Sequence, residues 1–152
     1  MLKEQIFKAN DIRGVVTGAN PELDLDGARR LGAAFVDLLG LSGETFVTGR
    51  DMRQLGEELA MAFADGARRA GASIIHLGLT STDLLWFGSG HLGLPGVQFT
   101  ASHNPARYNG MKFCLAGASP VHSDFTADLR ERAKTVSIGD KVVGDYEERD
   151  LT

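Results

Sequence analysis

The hexapeptide at 100–105, Thr-Ala-Ser-His-Asn-Pro, places a hydroxyl group beside an imidazole and an amide. It follows a short apolar run at 97–99, so we expect it to form the loop that leaves a strand. A second polar segment at 108–112, Tyr-Asn-Gly-Met-Lys, adds the cation of Lys112 soon afterwards. The two segments together indicate a reactive serine, Ser102, with a lysine close by.

Three chemical roles are open to Ser102. It could be a turn residue before Asn104-Pro105, because serine and Asn-Pro are common in turns. It could be an acyl-transfer nucleophile, but the side chain of His103, adjacent in the chain, would tend to point away from it. The chain also lacks the Gly-x-Ser-x-Gly elbow of many serine hydrolases.

The third role is phosphorylation of Ser102. A phosphate group adds about −1.5 to −2 charges and three acceptor oxygens, so it needs cations and amide donors around it. The polar segments supply such groups at Arg13, Arg50, Arg53, His103, Asn104, Arg107, Asn109 and Lys112. Arg50 and Asp51, two residues from Arg53, could instead form an ion pair that braces this loop.

Composition limits the classes of partner. The chain has 152 residues, 43% of them hydrophobic, which suits one globular domain. Its net charge of −4 argues against binding to nucleic acid or to a membrane surface. A single cysteine, Cys114, and the lack of a signal-like or membrane-spanning apolar segment favour a cytoplasmic location.

Alternating periodicities predict the elements that position these groups. We expect helices at about 25–39, 55–70, from 80–83 onward and 123–134, and strands at 45–49, 73–77, 97–100 and 111–115, with a further edge strand at 141–143. This order predicts a three-layer α/β/α domain with a mainly parallel, mixed sheet of about four strands and an antiparallel edge strand.

Parallel strands bring their carboxyl ends to one edge of the sheet, where open α/β sheets bind ligands. The loops at 49–53 and 80–83 and the hexapeptide should therefore converge, with Lys112 starting from the same edge. The Asp-Ile-Arg-Gly segment at 11–14 is interpreted as a polar turn. His76, in an apolar strand, is interpreted as a hydrogen-bonded core histidine, and Leu84, Trp86 and Phe87 as core residues.

Four motifs occur together in the chain: Asp-Ile-Arg-Gly at 11–14, Gly-Arg-Asp-x-Arg at 49–53, the hexapeptide at 100–105 and Asn-Gly-x-Lys at 109–112. In order and spacing they resemble the N-terminal domain of the α-D-phosphohexomutases, the family of phosphomannomutases and phosphoglucomutases. The resemblance covers essentially all of 1–152 as a single domain. The Ser-Thr-Asp sequence at 81–83 resembles the bacterial phosphomannomutase version; a phosphoglucomutase or phosphoglucosamine mutase is the alternative.

The resemblance implies a mechanism. Ser102 would carry a phosphoryl group, give it to a hexose phosphate and recover the other phosphate from a hexose 1,6-bisphosphate, converting mannose 6-phosphate to mannose 1-phosphate. Mg²⁺ would bind the phosphate on Ser102. Lys112 and Arg13 would position the phosphoryl group or move protons, and His103 and Asn104 would shape the loop. Arg50 and Asn109 are the further phosphate-binding candidates.

The resemblance also implies partners. The Mg²⁺-binding aspartate loop and the sugar-recognition loops of the family lie in domains II–IV, and no Asp-Gly-Asp-x-Asp occurs here. We therefore expect the chain to fold but not to catalyse alone, and to work with those domains on a phosphorylated hexose. The rival interpretation is a non-catalytic phosphate- or nucleotide-binding module, although no P-loop motif supports a nucleotide.

Overall fold

Four helices form where the sequence predicts them. The computed structural model describes residues 2–101 and 104–151, and its α-helices are α1 (Leu25–Leu39), α2 (Gly56–Arg69), α3 (Thr82–Leu92) and α4 (Phe125–Thr135). Helix α1 begins where the side chain of Asp24 accepts a hydrogen bond from Gly27 N at 2.7 Å, and it ends at Gly40, whose φ is 63°. Ser81 caps α3 in the same way, through Leu84 N at 3.0 Å.

Seven strands form one mixed sheet in the described part of the chain. They are β1 (Asp11–Val15), β2 (Thr45–Arg50), β3 (Ser73–Leu79), β4 (Gly96–Phe99), β5 (Tyr108–Leu115), β6 (Ser119–Pro120) and β7 (Tyr146–Glu148). The order is β1-β5-β4-β2-β3-β7, and β6 pairs with β5. Strands β4, β2, β3 and β7 are mutually parallel, whereas β5 is antiparallel to both β1 and β4.

The predicted fold class is confirmed, with corrections to the sheet. It has more strands than the four expected, and the antiparallel strand β5 lies inside the sheet, because β1 covers its other side. The segment predicted as a polar turn at 11–14 forms most of β1, since pairing with β5 outweighs its low local strand propensity. The edge strand predicted at 141–143 is wrong; the edge beside β3 is β7.

Helices α1, α2 and α4 cover one face of the sheet over the main core, and α3 covers the other. Phe35 of α1 lies at the centre of the main core, with its ring centroid 5.0 Å from that of Phe46 in β2. Helix α3 packs on the second face mainly through Leu85, beside Val47. The prediction that Phe87 is a core residue is wrong: it is 55% exposed, because it lies on the outer side of α3.

No helix in the part of the chain that the structure describes is both long and apolar enough to cross a bilayer.

Candidate active site

Strand register places Arg13 and Lys112 on the same face of the sheet. In the antiparallel β1–β5 pair, Arg13 lies opposite Gly110 and Asp11 lies opposite Lys112. Residues directly opposite each other share a face, and neighbours in a strand alternate faces. The intervening Ile12 points into the main core, so Arg13 and Lys112 point to the α3 side. There they line one cavity of about 510 Å³, together with Trp86 of α3.

Arg13 also connects this cavity to the hexapeptide. One terminal nitrogen of its guanidinium donates a hydrogen bond to Asn104 Oδ1 at 3.0 Å. Its Nε lies 3.1 Å from Asp11 Oδ2 but makes no hydrogen bond in the described part of the chain, although it is buried. The side chain is 34% exposed, so the guanidinium remains accessible to a ligand in the cavity.

The central pair of the hexapeptide, Ser102 and His103, lies outside the described residues. Just before this pair, Thr100 Oγ1 donates to Asp51 Oδ2 at 2.6 Å, and Thr100 N donates to Gly110 O at 2.9 Å. The 49–53 loop therefore contacts the hexapeptide, as the predicted convergence of loops at this sheet edge requires.

Arg53 contacts the segment that follows the hexapeptide's serine. A terminal nitrogen of its guanidinium donates to the carbonyl oxygens of Pro105 and Tyr108, at 3.0 and 3.3 Å. Its backbone N donates to Asp51 Oδ1 at 3.0 Å, and its Nε lies 3.6 Å from Asp51 Oδ2. The ion pair predicted between Arg50 and Asp51 is therefore wrong in its partner: Asp51 pairs with Arg53, and Arg50 lies beside Glu57.

Arg50 lies on the opposite face of the sheet from Arg13 and Lys112. Its partner in β4 is Phe99, which belongs to the main core on the α2 side. Its guanidinium is 3.9 Å from Glu57 Oε2, and its buried Nε has no hydrogen-bond partner among the described residues. Arg50 lines a separate cavity of about 680 Å³ with His76 and Tyr146. Arg50 therefore does not share the cavity of Arg13 and Lys112, and its phosphate-binding role stays a prediction.

Asn109 is on the α2 side as well, and it is completely buried. Its Nδ2 donates to Gln54 O at 3.0 Å, and its Oδ1 accepts from Gly110 N at 2.8 Å. The amide thus fixes the turn before α2, and its predicted contact with phosphate stays untested. The neighbouring Gly110 lies within β5 rather than in a turn, and a Cβ there would come 1.9 Å from Ile12 O. Close approach of β1 therefore requires a glycine.

His76 is a hydrogen-bonded core histidine, as predicted. Its Nδ1 lies 2.7 Å from Thr48 Oγ1, and burial lowers the pKa of the imidazole, assisted by the positive charge of Arg50. Burial likewise raises the pKa of the Cys114 thiol. Among residues 2–101 and 104–151, no three His, Cys, Asp or Glu side chains form a group that could hold a metal ion.

The sequence analysis did not identify Gln98 and Thr80, the buried hydrogen-bonded pair next to Lys112. Gln98 is fully buried next to Lys112; its Oε1 accepts from Thr80 Oγ1 at 2.7 Å, and its Nε2 donates to Thr80 O at 2.8 Å. A Cβ at Gly49 would lie 2.1 Å from Thr80 Oγ1. The available signal was a glutamine inside an apolar strand, because a buried amide needs hydrogen-bond partners.

Known proteins resemble the chain closely. Residues 4–138 match the family model described as phosphoglucomutase/phosphomannomutase, alpha/beta/alpha domain I. A phosphomannomutase of Salmonella typhimurium is 39% identical over 141 residues, 92% of this chain and 29% of that protein. One from Escherichia coli K12 is 41% identical over 125 residues, 82% of this chain and 26% of that protein.

Solved structures agree with the sequence relatives. The crystal structure of a phosphoglucomutase/phosphomannomutase family protein from Burkholderia thailandensis superposes with a TM-score of 0.85 and 33% identity. The match covers 99% of this chain and 34% of that one. The chain thus spans roughly a quarter to a third of the length of these relatives.

Proposed function

Since the chain belongs to the phosphoglucomutase/phosphomannomutase family, we propose that it is the N-terminal domain of a phosphomannomutase whose Ser102 carries the transferred phosphoryl group. The observation that carries this proposal is the placement of two cations beside the serine loop. Arg13 bonds to Asn104, two residues after Ser102, and shares a cavity with Lys112. Phosphoryl transfer depends chiefly on positioning and on stabilising charge, which two such cations supply.

The proposed reaction has two transfers. In the first, the bond between phosphorus and Ser102 Oγ breaks as a bond forms to a hydroxyl oxygen of mannose 6-phosphate. The hydroxyl proton passes to a base of the complete site, and Ser102 Oγ takes up a proton to leave as a free hydroxyl. The bisphosphorylated sugar then turns over, and the bond from its other phosphorus to the sugar oxygen breaks as a bond forms to Ser102 Oγ. Ser102 gives up its proton, the sugar oxygen takes one up, and mannose 1-phosphate is left. Lys112 and Arg13 offset negative charge on the phosphoryl oxygens in both steps, and His103 and Asn104 shape the loop.

The proposed cofactors are Mg²⁺ and a hexose 1,6-bisphosphate, the latter phosphorylating Ser102 before the first turnover. The part of the chain that the structure describes lacks a cluster of metal-ligating side chains. These residues alone do not make a Mg²⁺ site. Its ligands besides the phosphate on Ser102 are assigned to the remaining domains II–IV, which are also the partners that complete the sugar site.

The proposed site leaves alternative substrates open, and composition bears on partners and location. Glucose 1-phosphate or glucosamine phosphates would use the same serine, so phosphoglucomutase and phosphoglucosamine mutase activities are the alternatives within the family. The acidic net charge of −4 supports neither nucleic acid nor membrane as a partner. The single, buried Cys114 supports a cytoplasmic location, where thiols stay reduced.

Intact mass spectrometry of the full-length protein tests the proposal. After incubation with a hexose 1,6-bisphosphate and Mg²⁺, the protein should gain the mass of one phosphoryl group. The Ser102→Ala variant should not, whereas Ser123→Ala, at an exposed serine far along the chain, should gain it normally. Phosphorylation that persists in Ser102→Ala would contradict the proposal. Labelling of Ser102 by a fluorophosphonate would favour a serine hydrolase. Phosphate that binds to the protein without being transferred to Ser102 would favour a non-catalytic binding module.

The isolated 152-residue chain should fold without turning over substrate, because the proposed sugar and metal ligands lie in other domains. Circular dichroism and a coupled mutase assay on the purified chain check both statements. Mutase activity close to that of the full-length protein would show that this chain alone completes the site.

A further inference from the structure

We propose that Asp51 and Arg53 are positioning residues that fix the serine loop from both sides, and we name this pair the Asp51–Arg53 clamp. The inference rests on the proposed function of Ser102. It assigns Arg53, a candidate phosphate-binding cation by sequence, to the loop backbone instead.

On the side before Ser102, the clamp acts through Thr100. The Asp51 carboxylate accepts the Thr100 hydroxyl at 2.6 Å, and Thr100 is only 5% exposed. Hydrogen bonds to an ionised carboxylate are shorter and stronger than neutral ones. Asp51 N also donates to Phe99 O at 3.1 Å, so the backbone that carries this carboxylate is attached to the end of β4.

On the side after Ser102, the clamp acts through backbone carbonyl groups. The Arg53 guanidinium donates to Pro105 O and Tyr108 O, which lie on either side of a tight turn closed by Tyr108 N to Pro105 O at 2.9 Å. A planar guanidinium directs its N–H groups in a fixed geometry, whereas the N–H groups of a lysine ammonium rotate at the end of a flexible stem. Arg53 therefore fixes the backbone of the turn at 105–108, which leads into β5.

The two halves of the clamp are joined to each other. Asp51 Oδ1 accepts from Arg53 N at 3.0 Å, and the Arg53 Nε lies 3.6 Å from Asp51 Oδ2. The Arg53 and Asp51 side chains are 15% and 29% exposed, whereas those of the surface pair Arg132 and Asp37 are 47% and 56% exposed. Solvent and salt screen a partly buried pair less than an exposed one. Added salt should therefore weaken the clamp less than it weakens ordinary surface ion pairs.

The loop is also held after Ser102 by the Arg13–Asn104 bond, but the clamp acts on both of its flanks. Residues 101 and 104–107 belong to no strand or helix, and the clamp attaches both flanks of this loop to the turn that follows β2, a central strand of the sheet. Small displacements of a reacting group can cost about 100-fold in rate. Fixing both flanks limits the positions that the Ser102 hydroxyl can take, without any contact between Arg53 and the sugar.

The experiment measures single-turnover phosphorylation of Ser102 in the full-length protein by a hexose 1,6-bisphosphate, using intact mass, together with kcat and KM. Arg53→Ala and Asp51→Asn should slow phosphorylation and lower kcat about 10-fold or more, with KM changed less than about threefold. Arg53→Lys should recover part of the loss, because one ammonium can still reach a carbonyl oxygen. Arg132→Ala, which breaks an exposed ion pair far from the loop, should behave like the unaltered protein.

The outcomes separate this inference from the proposed function. If the unaltered protein is not phosphorylated on Ser102, the proposed function fails. If it is phosphorylated and all three clamp variants react at the normal rate, the clamp is overturned. A rise in KM with unchanged kcat would place Arg53 on the substrate and also overturn it. Should Arg53→Ala not fold, Asp51→Asn and Arg53→Lys, which keep the side-chain size, decide the question.

Discussion

The Arg13 guanidinium donates a hydrogen bond to Asn104 Oδ1 at 3.0 Å, joining residues 91 positions apart in the chain. This contact attaches the edge strand β1 to the hexapeptide. It also brings a cation of the Asp-Ile-Arg-Gly motif next to the loop of the proposed phosphoserine. Two of the recognised motifs therefore meet through one side-chain pair.

A double-mutant cycle should detect the Arg13–Asn104 contact. Arg13→Gln and Asn104→Ala, alone and together, should show a coupling of about 1 kcal/mol in the free energy of unfolding of the 152-residue chain, as a partly exposed charged hydrogen bond gives. Urea denaturation measures it. The exposed Arg132–Asp37 pair is the matched control and should couple more weakly. A coupling of zero for Arg13 and Asn104 would show that the contact does not form in solution.

Arg13 and Arg50 should differ in their effect on activity, because they lie on opposite faces of the sheet. In the full-length protein, Arg13→Gln should lower kcat/KM for the proposed substrate mannose 6-phosphate about 10-fold or more, since it removes charge next to the loop of the proposed phosphoserine. Arg50→Gln should lower it less than about threefold. Steady-state kinetics on the two matched variants checks this. Equal losses of kcat/KM in the two variants would show that Arg50 contributes to the site as much as Arg13 does. Another domain would then have to bring substrate to the α2 side of the sheet.

Gly49→Ala should destabilise the chain. The new Cβ would lie 2.1 Å from Thr80 Oγ1 and 2.8 Å from Gln98 Oε1, so the buried hydrogen bonds of Gln98 must shift. Overpacking of this kind costs about 1–3 kcal/mol of unfolding free energy. Gly90→Ala is the control: it lies on an exposed part of α3 with its nearest neighbour 4.0 Å away, and should be neutral or slightly stabilising. Similar stabilities of the two variants in urea would argue against the packing seen at Gly49.

The stability of the fold should fall as His76 is forced to take up a proton. Burial, with the nearby positive charge of Arg50, lowers the pKa of His76 from its ordinary value of 6.5, although Glu148 and Glu57 partly oppose this. The unfolded chain then binds a proton more readily than the folded chain. The unfolding free energy should therefore decrease as the pH falls from about 6.5 towards the lowered pKa.

Urea denaturation between pH 8 and pH 5, with His76→Gln as the variant that lacks this titration, measures the effect. An NMR titration of the imidazole gives the pKa directly. An imidazole that titrates at or above its ordinary value in the folded chain would contradict the buried environment.

Much of the molecule follows from local sequence. The bounds of α1 could be predicted because Asp24 and Gly40, at its two ends, act on hydrogen bonds within a few residues of themselves. The family could be recognised because its motifs are short and contiguous. The sequence also predicted that Ser102 and Lys112 lie close together, which stays a prediction, and the resemblance added Arg13 to them.

Only the tertiary structure decided which side chains share a face. Arg13 and Lys112 meet because β1 pairs with β5 in one register, while Arg50 and Asn109 point to the other side. A shift of one residue in the pairing of a strand moves every side chain of that strand to the opposite face of the sheet. In addition, no local sequence pattern identified 11–14 as a strand. The register comes from pairing between segments nearly 100 residues apart, which depends on long-range packing rather than on neighbouring residues.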